Sequence, residues 1–191
     1  MNELVEPEWA LVTVLFADIR GFTHFAEKST ARETVDYLNA FFGVAVPVVE
    51  RRGGTAFQLL GDGLLAVFGA PAHLPDHADC AVAAGADMLD AVRTETGGRC
   101  RIGIGVNSGL VVVGHVGGGR HHPLSVIGDP VNVASRVQDA TRDLHELMLL
   151  TEATRCLLEA QFAAVEPVAT IPLKGKSQDV LVHRLKSRPV P

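Results

Sequence analysis

The stretch LVTVLFADIRGFT, residues 11–23, decides how the rest of the chain is read. Its first seven residues, Leu11–Ala17, are apolar and rich in β-branched side chains, the pattern of a short buried strand. The run stops at Asp18, a carboxylate at a strand end, and Gly21 then offers a turn. Further on, TAFQLLGDGLLAVF (55–68) reads as two strands, Thr55–Leu60 and Leu64–Phe68, folded back at Gly61-Asp62-Gly63, where glycine permits a positive φ. If the first strand lies beside this hairpin, Asp18 and Asp62 converge. Two carboxylates with a nearby carbonyl are hard oxygen ligands of the kind Mg²⁺ or Mn²⁺ takes. Either aspartate alone is an ordinary turn residue.

Working outward, a helix is expected over Ala31–Arg51, closed by Gly53-Gly54, with Pro47 kinking or breaking it. The alanine-rich segment from Asp76 to Arg93 reads as a second helix. Arg101–Val106 and Leu110–Val116 read as a strand pair turning at Ser108-Gly109. A loop rich in glycine and histidine (117–122) precedes a short strand and a helix that starts near Asp129-Pro130. One more strand and a short helix follow. Val165–Leu173 and Val180–Leu185 close the chain as a strand pair around Lys174-Gly175-Lys176. This order predicts one α+β domain with a mostly antiparallel sheet and helices on one side. The expected limits are an N-terminal extension (1–10), the domain itself (11–186) and a C-terminal tail (187–191).

Composition sets the outer bounds. With 191 residues, 47% hydrophobic and 20% charged, the chain can bury a core of its own. The net charge of −5 argues against a nucleic-acid partner. No apolar run approaches the roughly 18 residues of a membrane span. The acidic start, with Glu3, Glu6 and Glu8, is unlike a signal peptide. Three widely spaced cysteines, Cys80, Cys100 and Cys156, do not suggest a disulfide framework. The expectation is a cytoplasmic domain. Gly103, Gly105 and Gly109 have the wrong spacing for a dinucleotide-binding turn and lie in a strand.

Four segments, in this order, resemble the signature motifs of class III adenylyl and guanylyl cyclase catalytic domains: VLFADIRGFT (14–23), LGDGLLAVF (60–68), IGDPVNVASR (127–136) and LKGK (173–176). The resemblance runs from about Leu11 to Lys186. It implies an elaborated ferredoxin-like βαββαβ core, acting as a homodimer with active sites at the interface. It also implies that Asp18 and Asp62, with the Ile19 carbonyl, bind two divalent metal ions. Phe22 and Thr23 would present backbone N–H groups to a triphosphate, and Lys174 would contact its terminal phosphates. Asn132 and Arg136, four apart and hence on one helix face, would orient the ribose and stabilise charge on the α-phosphoryl group. A regulatory domain or partner protein is a further implication.

The family reads the base with two side chains, and here those positions hold Gln58 and Ser125. An amide and a hydroxyl both donate and accept, so either purine can be matched. Ser125 stands nearer the threonine of some adenylyl cyclases than the cysteine of many guanylyl cyclases, and ATP is the expected substrate. The alternatives are a guanylate or dual-specificity cyclase, a catalytically weak nucleotide-binding regulatory domain, and another phosphoryl-transfer enzyme with paired acids.

Overall fold

The computed structural model describes residues 7–118, 123–159, 165–172 and 179–185. In chain order the elements are β1 (Glu8–Ile19), α1 (Phe22–Lys28), α2 (Ala31–Arg51), β2 (Thr55–Leu60), β3 (Gly63–Phe68), α3 (His77–Glu95), β4 (Ile102–His115), β5 (Leu124–Ile127), α4 (Asp129–Asp143), β6 (Met148–Thr151), α5 (Glu152–Arg155), β7 (Val165–Ile171) and β8 (Val180–Leu185). The strands form one sheet in the order β2-β3-β1-β4-β6-β8-β7, with β5 paired to β4. Among the described strands every pairing is antiparallel except β4 with β6. The core β1-α2-β2-β3-α3-β4, with spatial order β2-β3-β1-β4, is the ferredoxin-like arrangement expected from the sequence.

Alternation along the strands separates two apolar layers. Leu15, Ala17 and Ile19 of β1, with Ile102, Ile104 and Val106 of β4, pack against Phe41, Val44 and Val48 of α2 and Ala81, Ala84 and Met88 of α3. Cys80 packs against this same layer. Val12 and Val14 share the opposite face with Val67, Val111 and Ala134 of α4. The two crossover helices of the core thus lie on one side, but α4 covers the other. The expectation of helices on one side holds only for the core.

Two other expectations need correction. Ser108-Gly109 is not a turn, because β4 runs unbroken from Ile102 to His115. Thr13 and Val12 of β1 pair with Ser108 and Gly109, so the ladder continues through them. The missing Cβ of Gly109 makes room for Pro130, whose Cγ would sit 2.5 Å from it. Nor does Pro47 break α2, which remains one helix of 21 residues. Its missing N–H removes one internal bond, while burial of Val44, Ala45, Val48 and Val49 holds the turns on both sides. A capping box between Thr30 and Glu33 fixes the start of that helix. The first strand begins at Glu8, three residues before the apolar run, because it pairs with β4 from Glu8↔Val113 to Ile19↔Ile102.

Candidate active site

Strand pairing brings the two predicted acids together. In β1, Asp18 lies opposite Gly63 of β3 on one side and Gly103 of β4 on the other. Both neighbours lack side chains, so the Asp18 carboxylate has space above the sheet. Leu60 pairs with Gly63, leaving Gly61-Asp62 as the tip of a tight hairpin, with Gly61 at φ 63°. The Ile19 N–H donates to the Asp62 carbonyl at 3.3 Å and ties this tip to the end of β1. Burial, and then the neighbouring Asp62 carboxylate, push the Asp18 carboxyl up to about 6. Arg142 and Arg20 oppose that shift, and Asp139 adds to it.

These residues line a cleft of about 680 Å³ formed by Asp18, Ile19, Arg20, Gly21, Phe22, Thr23, His24, Asp62, Asp139 and Arg142. Gly21, at φ 73°, turns the chain from β1 into α1 and sets Phe22 and Thr23 at the cleft wall. Among the described residues no three His, Cys, Asp or Glu side chains form a closed ion cage. Two repelling carboxylates at the mouth of an open cleft nevertheless suit a hard divalent cation that takes its other ligands from substrate oxygens and water. The donor set fits.

Asp139 and Arg142, both on α4, were missed in the sequence. Asp139 is three residues past Arg136, on the same helix face, and that spacing was readable. Arg142 was not readable, since only the packing of α4 over the sheet brings it to Asp18. Arg20, inside the first motif, also lines the cleft. Its guanidinium donates to Thr141 Oγ1 at 2.9 Å and to the Glu146 carbonyl at 2.6 Å, joining the end of β1 to the end of α4. Burial lowers its pKa, with Arg142 and Arg101 adding to the shift.

Gln58 and Ser125 meet in a second, smaller cleft of about 270 Å³, with Phe57, Leu65, Pro123, Leu124 and Val126. They are 67 residues apart in sequence and come from different strands. A register shift between Ala56 and Gln58 leaves Gln58 exposed at the sheet edge. Pairing of β5 with β4 (Gly114↔Ser125) sets the other wall. Ser125 Oγ donates to the Pro123 carbonyl at 3.2 Å. This cleft and the acidic one share no residue, and neither is lined by Asn132 or Arg136. On α4, Asn132 is exposed and Arg136 half-buried. Lys174 lies outside the described residues.

Comparison with known proteins agrees with this architecture. Residues 4–187 match the family described as the adenylate and guanylate cyclase catalytic domain. The guanylyl cyclase Cya2 superposes with a TM-score of 0.85 at 30% identity, covering 94% of this chain and 93% of that one. The adenylyl cyclase CyaB from P. aeruginosa gives 0.87 at 26% identity, covering 98% and 100%. The uncharacterized protein Rv1320c of Mycobacterium tuberculosis is 36% identical over 170 residues, which are 88% of this chain but 30% of that protein. The chain therefore belongs to the adenylate and guanylate cyclase catalytic domain family, as a class III nucleotide cyclase domain. It spans under a third of the length of the mycobacterial relatives it matches. No helix among the described residues is long and apolar enough to cross a membrane.

Proposed function

We propose that the domain is an adenylate cyclase that converts ATP to 3′,5′-cyclic AMP and pyrophosphate at sites shared across a homodimer. The convergence of Asp18 and Asp62 in the open cleft lined by Phe22 and Thr23 carries the cyclase part of this reading, and Ser125, nearer a threonine than a cysteine, favours ATP. In the reaction the ribose 3′-oxygen bonds to the α-phosphorus, the bond from that phosphorus to the bridging oxygen breaks to release pyrophosphate, and the hydroxyl proton passes to solvent water. Two divalent cations, Mg²⁺ or Mn²⁺, held by Asp18, Asp62 and the Ile19 carbonyl, would acidify that hydroxyl and neutralise the triphosphate. Phe22 and Thr23 offer N–H groups to phosphate oxygens, and Lys174 adds a compact positive charge. Asn132 orients the ribose. Arg136, planar and always charged, stabilises charge that grows on the α-phosphoryl oxygens.

A second copy is required in this reading because the groups lie apart on one chain. Acids and base-reading pair occupy clefts with no common residue. The edge strand β2, which carries Gln58, also exposes Leu59 and Leu60, apolar surface suited to a partner. Asp18 and Asp62 of one protomer would face Gln58, Ser125, Asn132, Arg136 and Lys174 of its partner. The catalytic unit is then 11–186 with the three residues that extend β1, acting on cytoplasmic ATP, and regulation belongs to further chain or a partner protein.

A guanylate or dual-specificity cyclase is the second reading. Gln58 and Ser125 favour it equally on hydrogen-bonding grounds, since each donates and accepts. Product analysis with ATP and GTP in parallel, with Mg²⁺ and with Mn²⁺, separates the readings. Cyclic AMP as the main product supports the first, and cyclic GMP, alone or beside cyclic AMP, the second. Nucleotide binding without cyclic product under both metals would reject turnover altogether.

A further inference from the structure

The glycines of β4 do not bind a dinucleotide, but they have a structural use. Residues 103, 105, 107 and 109 alternate onto the sheet face covered by α4, and three of them are glycine. A Cβ on Gly103 would lie 2.6 Å from Thr141 Oγ1, and one on Gly109 2.5 Å from Pro130 Cγ. One on Gly105 would collide with the backbone of Ala134 and Gln138. The helix lies flat on this bare track along its whole length.

Asn107 is the single side chain in the row, and it is buried. Its amide Nδ2 donates to the Pro130 carbonyl at 3.0 Å, two residues before Asn132 in the first turn of α4. Its Oδ1 accepts from Thr151 Oγ1 at 2.7 Å, at the end of β6. Thr151 in turn caps α5 by accepting from the Thr154 N–H at 3.3 Å. Both ends of the amide are thus occupied, which sets its orientation. Among the described residues no side chain caps the start of α4 from its N-cap position, which Gly128 occupies. The tie from Asn107 is therefore a polar anchor for that end of the helix.

We propose that Asn107 is a positioning residue of the cyclase reaction: it pins the first turn of α4 to the sheet and so sets how far Asn132 and Arg136 reach toward the nucleotide. This rests on the reading that α4 supplies those two residues to a site shared with a second protomer. A small displacement of such groups costs catalysis far more than binding, because their alignment matters most in the transition state.

The test uses Asn107→Asp, which keeps the shape and the acceptor but loses the donor to Pro130, and Thr151→Val, which removes the opposite support. Both variants are expected to lose about ten-fold or more in kcat, with KM for nucleotide within about two-fold. Thr96→Val is the stability control. It breaks the buried hydrogen bonds of Thr96 Oγ1 to the Val92 carbonyl at 2.6 Å and from the Cys100 N–H at 3.1 Å, which share no partner with Asn107 or Thr151. It should lower Tm and leave kcat unchanged.

Mixing then separates this proposal from the reading beneath it. Asp18→Ala mixed with Arg136→Ala should return about a quarter of wild-type activity, since half the dimers are mixed and each has one intact site of two. Asn107→Asp mixed with Asp18→Ala should recover likewise, whereas Asn107→Asp mixed with Arg136→Ala should not. If the first pair fails although the subunits exchange, the shared-site reading falls. If the first pair works but Asn107→Asp keeps full kcat with a lowered Tm, or is rescued by Arg136→Ala, the positioning role is overturned. Should Asn107→Asp not fold, Thr151→Val carries the same comparisons.

Discussion

The acidic cleft and the Gln58–Ser125 cleft are built by different means. The first rests on paired strands and a two-residue hairpin, so the positions of Asp18 and Asp62 follow from backbone register. The second depends on a register shift in an edge strand and on the short strand β5, and its two polar side chains carry no fixed hydrogen-bond polarity. In the proposed function the charged cleft would set the reaction, and the ambivalent one would leave the choice of base to small changes. Reaction chemistry should accordingly be sensitive to single substitutions in the first region, while substitutions in the second should redirect activity more than abolish it.

The largest expected effect is at the acids. Asp18→Ala or Asp62→Ala should lower cyclic nucleotide formation by about 10³ or more, measured with saturating Mn²⁺, as removal of a metal-holding charge predicts. Retention of more than a tenth of the activity in either variant would remove the acidic cleft from the chemistry. Arg136→Ala should cost about 10²–10³ in kcat with KM little changed, since its contact strengthens as charge develops. A rise in KM alone would make it a ground-state binding group.

Changes at the second cleft should be smaller and of another kind. Gln58→Glu combined with Ser125→Cys should move the ratio of kcat/KM for GTP over ATP upward by about ten-fold or more, because the site then has fixed polarity. An unchanged ratio, with activity retained, would show that this cleft does not read the base.

The acidic cleft also predicts a pH dependence. Asp18 has a folded-state pKa of about 6, above the ordinary carboxylate value. The folded protein therefore holds a proton there that the unfolded chain has lost, and this contribution to stability disappears as pH rises through about 6. Without metal, Tm should fall modestly from pH 5 to pH 7, and Asp18→Asn should flatten that slope. Mn²⁺ affinity, read by calorimetry, should weaken as pH drops below about 6, because the proton competes with the ion. The smallest effect is expected at the hairpin tip. Gly61 holds φ 63°, and Gly61→Ala should cost about 1 kcal/mol in a denaturation experiment.

Much of this molecule was legible in its residues. The apolar run of β1, the Gly61-Asp62-Gly63 turn and the capped start of α2 are local signals, each set by neighbours within a few positions. They suffice for an α+β domain with a mostly antiparallel sheet; the ferredoxin-like core was implied by the resemblance, and the adjacency of β1 and β3 that brings Asp18 to Asp62 came from the structure. The unbroken course of β4 was not legible, because Ser108 and Gly109 look like a turn until Thr13 and Val12 are seen to pair with them. Glycine there records the approach of Pro130, a neighbour from a distant segment.

What the sequence determined by itself was the family, through four motifs that resemble, in order, those of class III cyclase catalytic domains. Only the tertiary structure decided that α4 crosses to the opposite face, that Asp139, Arg142 and Arg20 join the acidic cleft, and that Gln58 and Ser125 share a second one. The physical reason is range: turn and strand preferences act between neighbours in sequence, whereas these placements come from burying apolar layers on both faces of one sheet. The acids could be paired from a hairpin on condition that the first strand adjoins it. The helix that lies across them could not.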